Sequence, residues 1–232
     1  NAIIVDDDAD LDQAVEGTLT SAFGYAGQKC SACSRVIVVG SAYEEFRARL
    51  AAGVESLVVG PPEDPYTFVP PVISAGAKET IEQYIAIGER EGTLVARGRS
   101  GDGGQYVAPV VFEDIPRDSR LSCEEVFGPV LALYRAGDFE EALAIALDSP
   151  FALTGGVFSR NPRHIARAGA AFRVGNLYIN RKTTGAMVGR QPFAGFRMSG
   201  TGEKAGGPDY VRQFMVARVV TENTMRRGFA PQ

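Results

Sequence analysis

The chain has 232 residues, of which 45% are hydrophobic and 22% charged, a composition that supports a packed core in one large or two small domains and excludes a disordered or fibrous chain. Its net charge of −4 is spread over interspersed acids and bases, which leaves no basic stripe for nucleic acid or an anionic membrane, and no stretch approaches the roughly 20 apolar residues of a membrane span. Three cysteines are too few, and odd in number, for a secreted disulfide framework, so Cys30, Cys33 and Cys123 read as thiols in a reducing, cytoplasmic compartment, with small molecules or protein surfaces as partners.

The chain opens on the strand-like run Asn1-Ala2-Ile3-Ile4-Val5, with neither an initiator methionine nor the apolar core of a signal peptide. The expectation is a segment that begins inside a larger protein. Short apolar runs at 3–5, 36–39, 106–112, 130–135, 153–158 and 176–180 alternate with helical periods at 11–23, 42–56, 75–91, 139–147 and 162–172. This alternation predicts an α/β fold with an open, mostly parallel sheet and helices on both faces, and it points to the loops after the strands' carboxyl ends as the site.

Two segments, at 60–65 and 100–104, are rich in proline or glycine and read as surface loops. The glycine-rich stretch 181–207 has no regular period and is too long for a simple connector, which is typical of functional loops. A β-like pattern returns at 214–221 and predicts an edge strand in need of a partner. The expected division is a catalytic domain over 1–213 and an association strand with its tail over 214–232.

In the nonapeptide GQKCSACSR, Cys30 follows a helix broken by Gly24 and Gly27 and precedes an apolar strand. That setting places the sulfur on a turn, facing a cleft, where a thiolate can attack a carbonyl carbon and later leave a thioester. From spacing alone, a half-buried structural thiol is the simpler reading. Cys30 and Cys33 also have the C-x-x-C spacing of a thiol redox pair, but one histidine and no second C-x-x-C argue against zinc. No metal site is expected. The single histidine, His164, reads as a satisfied surface residue at a helix start, so a carboxylate is the better candidate for any base acting with Cys30.

Glu124 and Glu125 precede Val126-Phe127-Gly128-Pro129 and, taken alone, read as a solvated acid pair beside a core phenylalanine. Gly185 and Ala186, followed by Gln191-Pro192-Phe193-Ala194-Gly195, offer backbone N–H groups beside an aromatic ring, either an anion-binding nest or a turn without a ligand.

Taken together and in order, GQKCSACSR, EEVFGP, GNLYINRKTTGAMVGRQPFAGF and the tail resemble the catalytic domain of the aldehyde dehydrogenase superfamily over nearly the whole chain. TGAMVGRQPF and the serine directly after Cys30 are similar to its 1-pyrroline-5-carboxylate dehydrogenase branch, which oxidises glutamate γ-semialdehyde to glutamate in proline degradation. The ending VVTENTMRRGFAP resembles the dehydrogenase module of bifunctional proline utilisation proteins.

The resemblance implies Cys30 as nucleophile, with its backbone N–H contributing to an oxyanion hole. It implies NAD as cofactor, with Glu125 on the nicotinamide ribose and Phe127 beside the ring. Ser31, Gly185 and Ala186 would hold the substrate's α-carboxylate, and Phe193 would line its aliphatic chain. The segment 214–221 would cross to a partner subunit, giving a homo-oligomer, and a bifunctional parent would carry FAD in a proline dehydrogenase domain. The family's base glutamate, in an ELGGK-like motif, would fall a few residues before Asn1, and the NAD-binding domain further upstream; no G-x-G-x-x-G in these residues replaces it. The expectation is that this chain alone binds NAD weakly and turns over little substrate. Ala194 stands where the family commonly has glycine, and Arg190 has no assigned role. Another semialdehyde dehydrogenase of the superfamily, or a thiol redox module, are the alternatives.

Overall fold

The computed structural model describes residues 1–101, 103–225 and 228. In chain order it contains β1 (Ala2–Val5), α1 (Leu11–Phe23), β2 (Arg35–Val39), α2 (Tyr43–Ser56), α3 (Ala75–Glu91), β3 (Thr93–Arg97), β4 (Val110–Glu113), α4 (Arg120–Cys123), β5 (Val130–Ala136), α5 (Phe139–Leu147), β6 (Phe151–Ala152), β7 (Thr154–Phe158), α6 (Pro162–Ala171), β8 (Asn176–Ile179) and β9 (Phe196–Arg197). Five of the helices start where a short polar side chain accepts from the first turn: Asp10 for α1, Ser74 for α3, Ser119 for α4, Asp138 for α5 and Asn161 for α6. Each such cap satisfies an N–H that the helix itself cannot.

Seven strands form one sheet in the order β3-β4-β5-β2-β1-β7-β8, and every pairing is parallel except β3 with β4. Every residue of β1, β2 and β7 is buried, which is why these strands read as continuous apolar runs rather than alternating ones. The crossover from β1 through α1 to β2 moves one way along the sheet, and that from β7 through α6 to β8 moves the other. Right-handed crossovers in opposite directions put their helices on opposite faces. Phe23, Phe46, Phe112 and Phe158 are fully buried in the resulting core, each contributing roughly 1.5–3 kcal/mol of apolar burial.

The structure departs from the sequence expectations at three places. The expected strand 106–112 begins only at Val110; Pro109, which has no N–H to give to a ladder, precedes it. The strand β3 was not anticipated, because it is an edge strand with a largely exposed pattern and gives no apolar alternation. The expected strand at 214–221 forms no ladder: Tyr210–Phe214 is a 3-10 turn, and Val216, Val219 and Val220 are 95%, 88% and 74% exposed. Among the described residues no strand pairs with this segment, and most of the RRGFAP ending lies outside the described residues. No described helix is long and apolar enough to cross a membrane.

Candidate active site

The helix α1 gives way at Phe23 to a turn over Gly24–Gly27, in which Tyr25 and Ala26 take left-handed backbone angles (φ 61° and 55°) and Gly27 has φ +69°. A Cβ on Gly27 would lie 2.3 Å from the carbonyl oxygen of Gly128. Only glycine lets the backbone of the thiol segment approach the segment holding Glu125 and Phe127 this closely. The chain then turns again before entering β2, and Cys30 sits exposed on that second turn.

Cys30, Glu125 and Phe127 line one cleft of about 250 Å³, together with Asn1, Lys29 and Arg35. Its walls are the residues immediately before β1, β2, β5 and β7, so the cleft lies at the amino edge of the parallel strands. This overturns the expectation of a site after their carboxyl ends. The thiol is carried by the loop entering β2, not by the loop leaving it.

The reading of Glu124 to Phe127 as a solvated pair with a core ring is also corrected. Phe127 has φ 54° and is 45% exposed, while Val126 beside it is buried. Burial alternates along this stretch, with Glu125 and Phe127 exposed and Val126 and Gly128 buried, so the ring faces the cleft and not the core. Glu124 accepts from Arg120 at 2.9 Å and from the Tyr84 hydroxyl at 2.5 Å, and these two donors hold its carboxyl below the usual range. Glu125 is the acid of the pair with no such partner in this stretch.

Ser31, Gly185, Ala186 and Phe193 do not line the cleft. Ser31 is buried, Gly185 (φ +82°) and Ala186 are exposed, and Phe193 is half-buried, bridged through its backbone to Ala205. Neither the Gly185 nor the Ala186 N–H has an acceptor among the described residues. The loop they begin is tied to the thiol turn: the Thr183 hydroxyl donates to Ser31 O at 3.2 Å, and the Thr183 N–H donates to Ser21 Oγ at 3.0 Å. Further along, Lys204 Nζ donates to Ala194 O at 2.6 Å and to Asn176 Oδ1 at 3.3 Å, fixing the backbone at Ala194 against β8. Arg190 is exposed.

Sequence reasoning missed Asn1, whose side chain reaches into the thiol turn: Nδ2 donates to Cys30 O at 2.7 Å and to Ala32 O at 2.8 Å. Nothing in one sequence distinguishes such an asparagine from any other. His164, read as a surface residue, is half-buried, stacks on Phe139 with ring centroids 4.4 Å apart, and meets the buried Asp6 carboxylate at 2.6 Å. It does not line the cleft. Cys33 is 2% exposed and burial pushes its thiol up to about 11, a poor partner for thiol exchange with Cys30.

Cys30, Glu125 and Phe127, the three residues that the family resemblance names for nucleophile and cofactor, thus line one cleft. Residues 1–220 match the profile of the aldehyde dehydrogenase family. The chain belongs to the aldehyde dehydrogenase family. Over 223 residues it is 48% identical to the 1-pyrroline-5-carboxylate dehydrogenase of Geobacillus thermodenitrificans (strain NG80-2), a match that takes in 96% of this chain and 43% of that protein. The chain thus spans less than half the length of the curated relatives it matches. Among solved structures, a 1-pyrroline-5-carboxylate dehydrogenase from Thermus with bound NAD superposes with a TM-score of 0.88 at 50% identity, over 92% of this chain and 41% of that one. Proline utilization A (PutA) from Bdellovibrio bacteriovorus, inactivated by N-propargylglycine, superposes with a TM-score of 0.94 at 50% identity, over all of this chain and 24% of that one. The resemblance read in the motifs, to the family and to its 1-pyrroline-5-carboxylate dehydrogenase branch, is borne out at this level.

Proposed function

We propose that this aldehyde dehydrogenase family chain carries the thiol half of a 1-pyrroline-5-carboxylate dehydrogenase, which oxidises glutamate γ-semialdehyde to glutamate with NAD in a cytoplasmic setting. The observation that carries this reading is the shared cleft of Cys30, Glu125 and Phe127. Cys30 adds through sulfur to the aldehyde carbon, giving a thiohemiacetal whose oxygen takes up a proton. Loss of hydride from that carbon and of the proton from its oxygen leaves a thioester on Cys30, and water releases the acid and restores the thiol. The Cys30 N–H, which has no acceptor among the described residues, is available to the oxygen at both stages.

The cleft fits the nicotinamide riboside end of NAD and not a whole dinucleotide: it is small, of its two lining glutamates Glu125 is the one not already held by Arg120 and Tyr84, and it presents an exposed ring at Phe127. Glu125 would accept from the ribose hydroxyls and Phe127 would pack against the nicotinamide ring. NAD, when bound, supplies the hydride acceptor.

The dicarboxylate product calls for an anion socket, and the unpaired N–H groups of Gly185 and Ala186, with the Ser31 hydroxyl, are assigned to the α-carboxylate. Phe193 is assigned to the aliphatic chain. A plain alkyl aldehyde would leave that socket unpaired, so carboxylated aldehydes are preferred. Residues 1–213 are assigned as the catalytic domain and 214–232 as the segment for association with a second subunit; the exposed valines at 216, 219 and 220 support that division.

The test compares NADH formation from glutamate γ-semialdehyde, succinate semialdehyde and an alkyl aldehyde, in the chain and in its fusion to the remainder of the Geobacillus relative, each beside Cys30→Ala. Preference for glutamate γ-semialdehyde by orders of magnitude, abolished by Cys30→Ala, supports the assignment. Preference for another aldehyde would retain the thiol and overturn the socket, and activity surviving Cys30→Ala would overturn the mechanism.

A further inference from the structure

We propose that Asn1, Thr154 and Thr183 are positioning residues that grip three successive carbonyls of the thiol turn and so hold the Ser31 N–H directly, and the Cys30 N–H through the Ala32 N–H and Lys29 O, as donors at the thiol. The proposal rests on the assignment of Cys30 as nucleophile. Asn1 Nδ2 donates to Cys30 O at 2.7 Å and to Ala32 O at 2.8 Å. The carbonyl between them, Ser31 O, accepts from Thr154 Oγ1 and from Thr183 Oγ1, each at 3.2 Å.

The three gripping residues come from separate parts of the chain: before β1, at the start of β7, and after β8. Each grip is itself anchored. Asn1 Oδ1 accepts from the Thr154 N–H at 2.9 Å, and the Thr183 N–H donates to Ser21 Oγ at 3.0 Å. Thr154 and Thr183 are 1% and 0% exposed, so water does not compete for their hydroxyls.

A trans peptide points its C=O and the following N–H in opposite directions, so gripping Cys30 O fixes the Ser31 N–H, and gripping Ser31 O aims the Ala32 N–H at Lys29 O, 2.9 Å away, which in turn fixes the Lys29–Cys30 peptide and its Cys30 N–H. Along the turn, the Ala32 N–H goes to Lys29 O at 2.9 Å and the Cys33 N–H to Ser21 O at 3.0 Å, whereas the Cys30 and Ser31 N–H groups have no acceptor among the described residues. An ungripped surface turn relieves unpaired donors by rotating a peptide plane. Such a rotation beside Cys30 would bring a carbonyl oxygen where a donor now stands, and that oxygen would repel the negative charge that builds up on a substrate oxygen. The grips oppose the rotation. Through Thr183, they also join the turn to the loop that begins at Gly185.

Two probes of Cys30 separate this role from a merely structural one. Iodoacetamide alkylates the thiolate by displacement of iodide at carbon, with no oxyanion. With p-nitrophenyl acetate, the thiolate adds to the carbonyl carbon and the oxygen takes the electron pair; collapse expels p-nitrophenolate and leaves an acetyl thioester, which water hydrolyses to acetate and free thiol. Both rates are measured on the unaltered chain, Asn1→Ala, Thr183→Val and Thr183→Ser, with thermal unfolding of each. Acylation is expected to slow by at least about tenfold in Asn1→Ala and Thr183→Val, part of the roughly 100-fold that loss of an oxyanion donor costs, while alkylation stays within about twofold. Thr183→Ser, which keeps the hydroxyl, should restore most of the acylation rate. Thr183→Val preserves shape and keeps the proposal testable where Asn1→Ala impairs folding. Equal slowing of both probes, or no slowing of acylation, would overturn the clamp. Alkylation without any Cys30-dependent p-nitrophenolate release from the unaltered chain would overturn the nucleophile assignment, and the clamp with it.

Discussion

The Cys33 sulfur lies 3.2 Å from the carbonyl oxygen of Arg35, directed into the core, although Cys30 three residues earlier is exposed. Burial raises the Cys33 thiol from 9.0 to about 11. The folded state therefore favours the protonated form, and the stability this contributes is fully present below about pH 9 and lost as pH rises through about 11. A displacement of two units corresponds to about 3 kcal/mol. Urea midpoints at about pH 8 and about pH 11 should fall less in Cys33→Ala than in the unaltered chain. The same variant should leave Cys30 alkylation and any aldehyde oxidation intact, because the two thiols do not act as a pair; a redox module would lose its cycle. Parallel declines in the two proteins would show that Cys33 is not the group responsible.

Gly27→Ala and Gly24→Ala make a matched pair. At Gly27 a side chain meets both a left-handed backbone and the Gly128 carbonyl oxygen at 2.3 Å; at Gly24 the backbone is at φ −55° and nothing lies within 4 Å. Gly27→Ala should destabilise by about 3 kcal/mol and part the two cleft walls, whereas Gly24→Ala should be neutral or stabilise by about 0.5 kcal/mol. Denaturant unfolding gives both numbers. Equal effects at the two positions would remove the close approach as an explanation of the cleft.

Arg35 is 4% exposed and donates to Ile145 O at 3.0 Å, Ala146 O at 3.1 Å and Asp148 O at 3.2 Å, carbonyls at and just past the end of α5, of which Ile145 O otherwise has only the Asp148 N–H at 3.3 Å. Arg35→Met fills the space but strands those acceptors, so it should cost about 3 kcal/mol. Arg35→Lys keeps the charge on one nitrogen and should recover less than half of the loss, since a single ammonium cannot reproduce the fork. Full recovery by lysine would mean that charge, not geometry, holds the end of α5.

The sheet and its helices were legible because their signals are local. The buried strands 36–39 and 130–135 are apolar runs, and helices 11–23, 75–91 and 139–147 carry their own periods and caps, so their bounds fall within a residue of those observed. The motif around Cys30 was legible through resemblance alone. What a single sequence hides is which end of the sheet becomes the cleft, because four segments distant in sequence converge there only once strand order is known. Phe127 was misread for a different reason: an aromatic ring beside an apolar run reads as core, whereas here it shares the exposed face with Glu125 while Val126 and Gly128 are buried. The tail at 214–221 reads as a strand because β-branched residues suit one, but a strand also needs a neighbour, and no described residue provides it.

Phe127 offers the sharpest test of the cofactor assignment, because its backbone and its ring can be separated. A bulky residue in the left-handed region carries roughly 1–2 kcal/mol of strain, and a ring that is 45% exposed recovers little of that by packing. On the proposed cofactor assignment, the ring's placement serves binding rather than stability. Phe127→Ala removes the ring and keeps the strain; Phe127→Gly removes both. The glycine variant should therefore be more stable than the alanine variant by about 1 kcal/mol in urea. Both should raise KM for NAD by the same factor, about tenfold, in the fusion with the Geobacillus relative, and neither should change the rate at which iodoacetamide modifies Cys30. If the two variants raise KM by different factors, the backbone and not the ring sets cofactor binding. If neither raises it, Phe127 does not belong to the nicotinamide site, and the cleft would have to bind the cofactor through Glu125 alone.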